Sequence, residues 1–273
     1  MTGAAGQVGK ALRTVCPDAI FLSRRDLDVR HAQSVARAMQ DVQTVVHLAA
    51  MTDVDLCETK PEQAASVNIQ GTKNVVDAAN QVGARVIHLS TDYVFDGLSS
   101  SEYLENQRPS PINTYGRTKL EGERYVLTDP GHLVVRTSWV IGDGTNFVRS
   151  ILSAARAMRV VKVVEDQVGR PTFAADLALA LRALINSEVA GIVHVCGDGP
   201  PCSWADLAEL VIEQANLDSS VVRIDSATYA KLQDRIVASR PVNSTLSLGK
   251  AKRMNIPLGV WRSSLIEYMS SMQ

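Results

Sequence analysis

A doubly wound, parallel α/β sheet with a smaller C-terminal α/β lobe is the fold class that the chain predicts, on three observations. Glycines recur as G-x-x-G-x-x-G at Gly3, Gly6 and Gly9, just ahead of a helical segment. Strand-like and helical segments then alternate through most of the chain, with no repeat and no low-complexity linker, the order that builds βαβ units. A β-rich run, 85–90, leads into Thr91-Asp92-Tyr93, and Tyr115 and Lys119 follow at helical spacing.

The run Thr2-Gly3-Ala4-Ala5-Gly6-Gln7-Val8-Gly9 reads as a turn opening a helix whose free N–H groups and positive end face a pyrophosphate. Glycine is needed where a side chain would block the backbone's approach to phosphate. A plain tight connection has the same letters, so the following segments decide. Residues 19–22 read as a strand and 31–40 as a polar-flanked helix. Residues 44–50 read as a buried strand whose small terminal residues let a ribose or nicotinamide lie close. The turn departs from the doubly wound pattern in having almost nothing before it, where such folds carry their central strand. The first strand is therefore expected to be missing or truncated at the N-terminus. Unpaired backbone groups on its neighbours would cost about 1–3 kcal/mol each if buried.

Pro61 starts a long helix, 61–82, carrying Asn68 and Gly71. Residues 85–90 form a strand, 96–113 a polar, Pro-containing loop, 114–128 a helix and 132–140 a strand. Past Gly142 the pattern loosens: helix 146–158, strand 160–164, helix 173–186 and strand 192–196. Ser203 caps a helix with Asp206 three residues on, a capping-box arrangement. A short strand, 221–224, precedes a last helix carrying Leu265 and Tyr268. Residues 1–140 are expected to bind the nucleotide. Residues 141–273 would mainly form a substrate lobe, with some segments returning to the sheet.

On a helix, Tyr115 and Lys119 stand side by side. An ammonium beside a phenol favours the phenolate and lowers a pKa that is otherwise about 10. Such a tyrosine passes a proton to or from a substrate oxygen near neutral pH, and the Thr91 hydroxyl is placed to share that oxygen. The chemistry inferred is carbonyl–alcohol interconversion. The plain alternative is a solvent-facing helix pair; the position downstream of a glycine turn favours catalysis.

Composition excludes other classes. With 28 Lys+Arg against 29 Asp+Glu, the net charge of −1 argues against a nucleic-acid binder. The 273 residues can bury a large core, as one big domain or a domain plus a lobe. No apolar run approaches the ~20 residues needed to span a bilayer, and no signal-peptide pattern opens the chain. Cys16, Cys57, Cys196 and Cys202 lack metal-ligand spacing and read as reduced thiols in cytoplasm. No metal site, nucleic-acid partner or membrane partner is expected.

Further motifs carry a resemblance. They are Ala49-Ala50-Met51-Thr52-Asp53-Val54-Asp55-Leu56-Cys57-Glu58, Val67-Asn68, Ser90 to Gly97, Tyr115 to Glu123, Arg136-Thr137-Ser138-Trp139-Val140, Asp166 to Thr172, and Arg240-Pro241-Val242-Asn243-Ser244. In this order and spacing the chain resembles the extended short-chain dehydrogenase/reductases, and within them the dTDP-4-dehydrorhamnose reductase family. The resemblance covers nearly the whole chain. It implies a Rossmann-type fold and NAD(P)H-dependent reduction of the C4 ketone of a dTDP-4-dehydro-6-deoxyhexose, by a monomer or homodimer. Thr91, Tyr115 and Lys119 would be catalytic, Lys119 also holding the nicotinamide ribose. Gly3, Gly6, Gln7 and Val8 would face the pyrophosphate, Asp28 and Val29 the adenine, and Ala49, Ala50, Met51 and Thr52 the cofactor near its ring. Thr52, Val54, Asp92, Tyr93 and Trp139 would form the sugar-side wall, with Trp139 either stacked on a pyranose or part of the core.

Ser23-Arg24-Arg25 follows the second strand, where an acid would bind the 2′-hydroxyl of NAD. Cations there suit a 2′-phosphate, which favours NADPH over NADH and marks Arg24; solvated loop arginines are the alternative. Asp26 and Asp28 would offset part of that charge. Asp166, Gln167 and Arg170 either line the cleft or satisfy their own turn. Arg240 either meets the diphosphate or forms a surface salt bridge. Some family members bridge a dimer through a metal held by an acid just after a Pro-Thr pair; Phe173-Ala174-Ala175 occupies that stretch here, so no bridge is expected. Two further readings are a related deoxysugar 4-ketoreductase and a non-catalytic regulatory subunit resembling the β subunit of methionine adenosyltransferase.

Overall fold

Short β-branched runs form four parallel strands, Thr44–His47, Arg85–Thr91, Leu133–Thr137 and Gly191–His194, hydrogen-bonded in that spatial order. The protein is described by a computed structural model covering residues 1–272. Side chains alternate across a strand, so each strand feeds two cores. Val46, Ile87, Leu133 and Val135 pack with Leu12, Leu177 and Leu181 from the helices Gln7–Val15 and Ala174–Ile185. Val45, Val86 and Val134 pack on the other side with Val35, Val75 and Val126, from the helices Ala32–Ala38, Thr72–Val82 and Thr114–Val126. A third core, built around Ile151, Val163, Leu207, Trp261 and Leu265, belongs to the second half of the chain. That half also returns helices and one strand to the main sheet.

The strand order reverses at the glycine turn. Thr2 bridges in parallel to Leu22 on one side and to His47 on the other. Thr2 N donates to Val46 O at 3.1 Å, and Leu22 N donates to Met1 O at 2.9 Å. Met1 and Thr2 thus fill the central position just before the turn. The 19–22 strand expected from sequence reduces to a single bridge at Leu22. Gly3 takes φ +68, and a Cβ there would lie 2.6 Å from Ala49 N, so the turn is pressed against the end of the next strand. Fully buried His47 ties the same place together. Its Nδ1 meets Thr2 Oγ1 at 2.8 Å and its Nε2 meets Thr72 Oγ1 at 3.1 Å, and burial holds it neutral at about 3.

Other elements differ from expectation for local reasons. The 44–50 ladder stops at His47. The 61–82 helix is interrupted by a π turn, Ser66–Gly71, between Pro61–Ala65 and Thr72–Val82; such bulges concentrate at functional sites. The 132–140 strand breaks at Trp139, whose φ is +46, and resumes as Val140–Ile141 beside Thr172–Phe173. A helix unforeseen in the sequence, Val54–Thr59, is capped by Asp53, which accepts from Leu56 N at 2.9 Å. The Ser203–Asp206 capping box forms as expected.

The helix Thr114–Val126 determines the site. Asn113 caps it by accepting from Gly116 N at 2.7 Å. A Cβ at Gly116 would lie 2.0 Å from Tyr93 O and 2.9 Å from the Pro111 side chain. Only a glycine lets this first turn touch the backbone that follows Thr91. Deeper in, Arg136 holds Glu123 with two bonds, Nε to Oε1 at 2.9 Å and Nη2 to Oε2 at 2.7 Å, both side chains 1 % exposed. Gly116→Ala is expected to lower stability by about 2–4 kcal/mol through overpacking, measured by urea unfolding; an unchanged midpoint would contradict this packing.

Candidate active site

A cavity of about 680 Å³ opens at the switch point of the sheet, where doubly wound folds place ligands. The glycine turn contributes Gly3, Gly6, Gln7 and Val8 to its wall. Arg24, Asp28 and Val29 follow from the chain after Leu22, and Ala49, Ala50, Met51, Thr52 and Val54 from the chain after His47. Thr91, Asp92 and Tyr93 come from the end of the strand Arg85–Thr91, Tyr115 and Lys119 from the helix above it, and Trp139 from the break after Leu133–Thr137.

The loop after His47 is set by Asn68, in the π turn. Its Oδ1 accepts from Met51 N at 2.8 Å, and its Nδ2 donates to Met51 O at 3.1 Å and Thr118 Oγ1 at 3.0 Å. Thr91 donates to Asp92 Oδ1 at 3.0 Å and accepts from Tyr93 N at 3.1 Å. Four buried atoms of cavity-lining residues have no hydrogen-bond partner: Gln7 Oε1, Ser90 Oγ, Asp92 Oδ2 and Thr137 Oγ1. Buried polar atoms are ordinarily satisfied, so this wall suits a polar ligand that satisfies them.

Lys119 and Tyr115 do not interact as the spacing led us to expect. Burial raises the Tyr115 phenol above its ordinary value, the Thr91 hydroxyl beside it working in the opposite direction. The Lys119 ammonium turns to the sheet instead, meeting His88 Nε2 at 2.9 Å and donating to Leu89 O at 2.8 Å. A buried ammonium needs acceptors, and the strand offers two. Burial still lowers it to about 7. Helical spacing put both residues on one face, but the nearest acceptor decided where the amine went.

Arg240 does not line the cavity. Its Nη2 donates to buried Asp55 Oδ1 at 2.8 Å, and Arg235 pairs with the other oxygen at 2.8 Å. It is a tether between the C-terminal segment and the helix Val54–Thr59. Asp166, Gln167 and Arg170 also lie outside the lining. Asp166 accepts from Ser226 N and Oγ, Gln167 donates to Ser226 Oγ at 2.8 Å, and Arg170 donates to Gly199 O at 2.9 Å. Of the two acids expected to offset part of the Arg24-Arg25 charge, Asp26 does so toward Arg25, while Asp28 is taken by Arg30. Asp26 accepts from Ser23 N and Oγ, and Asp28 is held by Arg30 Nε at 2.9 Å, which keeps its carboxyl far below the usual range. Arg24 has no ion pair among the described residues.

Sequence reasoning missed Trp204. It opens the capped helix Trp204–Gln214, lines the cavity, and stacks on Trp139 with ring centroids 3.6 Å apart and planes 7° from parallel. The capping box announced the helix start but not that its first residue would turn to the cavity. Gly169 makes room for the pair, since a Cβ there would lie 2.7 Å from the Trp139 ring. Asn68 and His88 also went unassigned, because their roles rest on contacts with distant segments.

The whole chain, residues 1–273, matches the model of the RmlD substrate binding domain family. It is similar to a dTDP-4-dehydrorhamnose reductase of Sinorhizobium fredii, 38% identical over 97% of this chain and 94% of that protein. Among solved structures it is similar to a dTDP-4-dehydrorhamnose reductase of Clostridium acetobutylicum, at TM-score 0.94 and 34% identity over 100% of this chain and 98% of that one. It is also similar to the Bacillus anthracis dTDP-4-dehydrorhamnose reductase in complex with NADP, at TM-score 0.92 and 31% identity, covering 99% and 97%.

Asp92 supplies a test of the site's electrostatics. Burial raises its carboxyl from 3.8 to about 7. Below pH 3.8 both folded and unfolded states hold the proton, so no penalty applies. Between these values only the unfolded state ionises, so stability falls as pH rises toward 7 and is constant beyond. Relative to Asp92→Asn, the unliganded wild type should lose on the order of 2–4 kcal/mol between pH 4 and pH 7, measured by urea unfolding; a flat difference would show that the carboxylate is ionised in the fold.

Proposed function

The chain belongs to the RmlD substrate binding domain family, and from that premise we propose that it reduces the C4 ketone of a dTDP-4-dehydro-6-deoxyhexose with NADPH, converting dTDP-4-dehydrorhamnose to dTDP-L-rhamnose. One observation carries the proposal: Thr91, Tyr115 and Lys119 line the same cavity as the glycine turn. Residues 1–140 form mainly the cofactor half in this reading, and 141–273 mainly the substrate lobe.

The residues fit the cofactor. The amides of the turn and the positive end of the nine-residue helix Gln7–Val15 suit the pyrophosphate. Asp28, the acid that would otherwise select a 2′-hydroxyl, is occupied by Arg30, leaving the Arg24 guanidinium for a 2′-phosphate. Val29 borders the adenine, Ala49 to Thr52 the ring end, and Lys119 the nicotinamide ribose. Bound NADPH supplies hydride to C4. Tyr115 donates its phenolic proton to the C4 oxygen. Its burial keeps the proton on the phenol, the form that donates, and an alkoxide is a far stronger base than a phenolate. Thr91, beside the phenol, would steady the phenolate left behind by turning its single hydroxyl proton from Asp92 to the phenol oxygen. Asp92, its second oxygen unpaired, meets a sugar hydroxyl, and Thr52, Val54, Tyr93 and Trp139 shape the wall around the ring.

The same proposal places a monomer or homodimer in the cytoplasm. Its four cysteines are free thiols, which suits a reducing compartment, and among the described residues no helix is long and apolar enough to cross a membrane.

Loss of NADPH absorbance with dTDP-4-dehydrorhamnose tests the activity. Tyr115→Phe should lower kcat by about 10²–10⁴-fold with cofactor affinity nearly intact; undiminished turnover would remove Tyr115 as the acid. Turnover of another dTDP-4-keto sugar alone would move the assignment to a neighbouring ketoreductase. Arg24→Ala should weaken NADPH about tenfold and leave NADH nearly unaffected, read by direct titration of each cofactor. Equal losses would make the arginine a general surface charge.

A further inference from the structure

Lys119 is only 2 % exposed, and in its ammonium form two of its three N–H donors are committed to the strand Arg85–Thr91. One donor goes to Leu89 O, a backbone acceptor available at any strand. The other goes to His88 Nε2, and this choice of residue needs explaining. His88 is fully buried, and burial together with the Lys119 charge keeps it neutral. Accepting at Nε2 places its proton on Nδ1, and Nδ1 has no partner. A buried donor left unpaired is destabilising, and a leucine or phenylalanine at this strand position would carry none. A carboxylate would also grip the ammonium, but would add a negative charge of its own beside the cavity. Imidazole accepts without adding charge.

The other charged or titratable groups facing the amine are already engaged. Glu123, one helical turn on, is held by Nε and Nη2 of Arg136. His47, its ring centroid 5.1 Å from that of His88, is committed to Thr2 and Thr72. The ammonium thus has two fixed contacts on the sheet side and one N–H uncommitted, on a residue that lines the cavity.

We propose that His88 is a positioning residue which, as its Nδ1–H tautomer, anchors the Lys119 ammonium to the sheet so that its remaining N–H serves the ribose hydroxyls of the nicotinamide cofactor. This rests on the reading of Lys119 as a cofactor-binding residue, and the experiment separates the two. NADPH affinity is measured by direct fluorescence titration of wild type, His88→Phe, His88→Gln, Lys119→Met and the double variant His88→Phe/Lys119→Met. Phenylalanine keeps a ring without an acceptor; glutamine restores an acceptor oxygen. Loss of one charge-assisted bond predicts about tenfold weaker NADPH binding in His88→Phe, with the sugar nucleotide KM unmoved and His88→Gln close to wild type. In the Lys119→Met background, His88→Phe should add no further loss.

Wild-type NADPH affinity in His88→Phe, equal losses in the Phe and Gln variants, or additive losses with Lys119→Met would each overturn the proposal. Unchanged affinity in Lys119→Met alone would instead sink the reading of Lys119 beneath it. Should His88→Phe fail to fold, ¹⁵N–¹H correlation of the histidine rings in the wild-type protein decides the matter. The expected pattern for His88 is a protonated Nδ1 and bare Nε2; a protonated Nε2 would end the proposal.

Discussion

The seam between the helix Thr114–Val126 and the parallel sheet is the constraint on which the site depends. Two cations and an anion are buried along it: Lys119, Arg136 and Glu123. Removing charges from water costs several kcal/mol per ion unless partners are supplied in good geometry. Here Glu123 and Arg136 pair through two parallel bonds that leave Arg136 Nη1 without a partner, and Lys119 finds His88 and Leu89. These bonds fix how far the helix slides and how it rotates. At its first turn Gly116 lies against the carbonyl of Tyr93, so the same docking sets the distance between Tyr115 and the Thr91–Asp92–Tyr93 segment. An apolar seam would tolerate small shifts in register. This one does not, because any slip leaves a buried charge without its partner.

What the sequence made legible was what local rules decide. The glycine turn, the helix carrying Tyr115 and Lys119, and the Asp206 capping box each depend on residues within one or two turns of chain. The alternation of strands and helices gave the parallel sheet. What stayed illegible depends on partners distant in sequence. Residues 19–22 carry a good strand pattern, yet form one bridge, Leu22 to Thr2, a pairing set by a segment distant in sequence. The break at Trp139 reflects a left-handed backbone conformation that no periodicity announces. Arg240 was read as a phosphate ligand because guanidinium suits phosphate, but buried Asp55, nearly two hundred residues earlier, holds it. For Lys119 the spacing was sound and the inference from it was not: helical periodicity names a face, while a four-carbon chain ends at whichever acceptor desolvation makes most favourable.

That last difference changes how the chemistry is understood. An amine that acidifies a phenol helps a tyrosine act as a base, which suits oxidation of an alcohol. Reduction of a ketone consumes a proton, and the group that supplies it must hold one beforehand. Burial does this for Tyr115 without any cation, by disfavouring the phenolate in the resting cavity. Asp92 beside it is likewise pushed toward its neutral form, so the reacting end of the cavity carries little negative charge. In the proposed reading, negative charge would arrive elsewhere, on cofactor phosphates received by the glycine turn and Arg24. The groups on this wall of the cavity that would face the forming alkoxide in the proposed reduction are the Tyr115 and Thr91 hydroxyls and Lys119. Of these, Lys119 is already fixed to the sheet, whereas the Thr91 proton rests on Asp92 Oδ1. The buried seam that holds the helix in register also holds Tyr115 and Lys119 at the cavity, so in the proposed reaction stability and catalysis would draw on the same set of contacts.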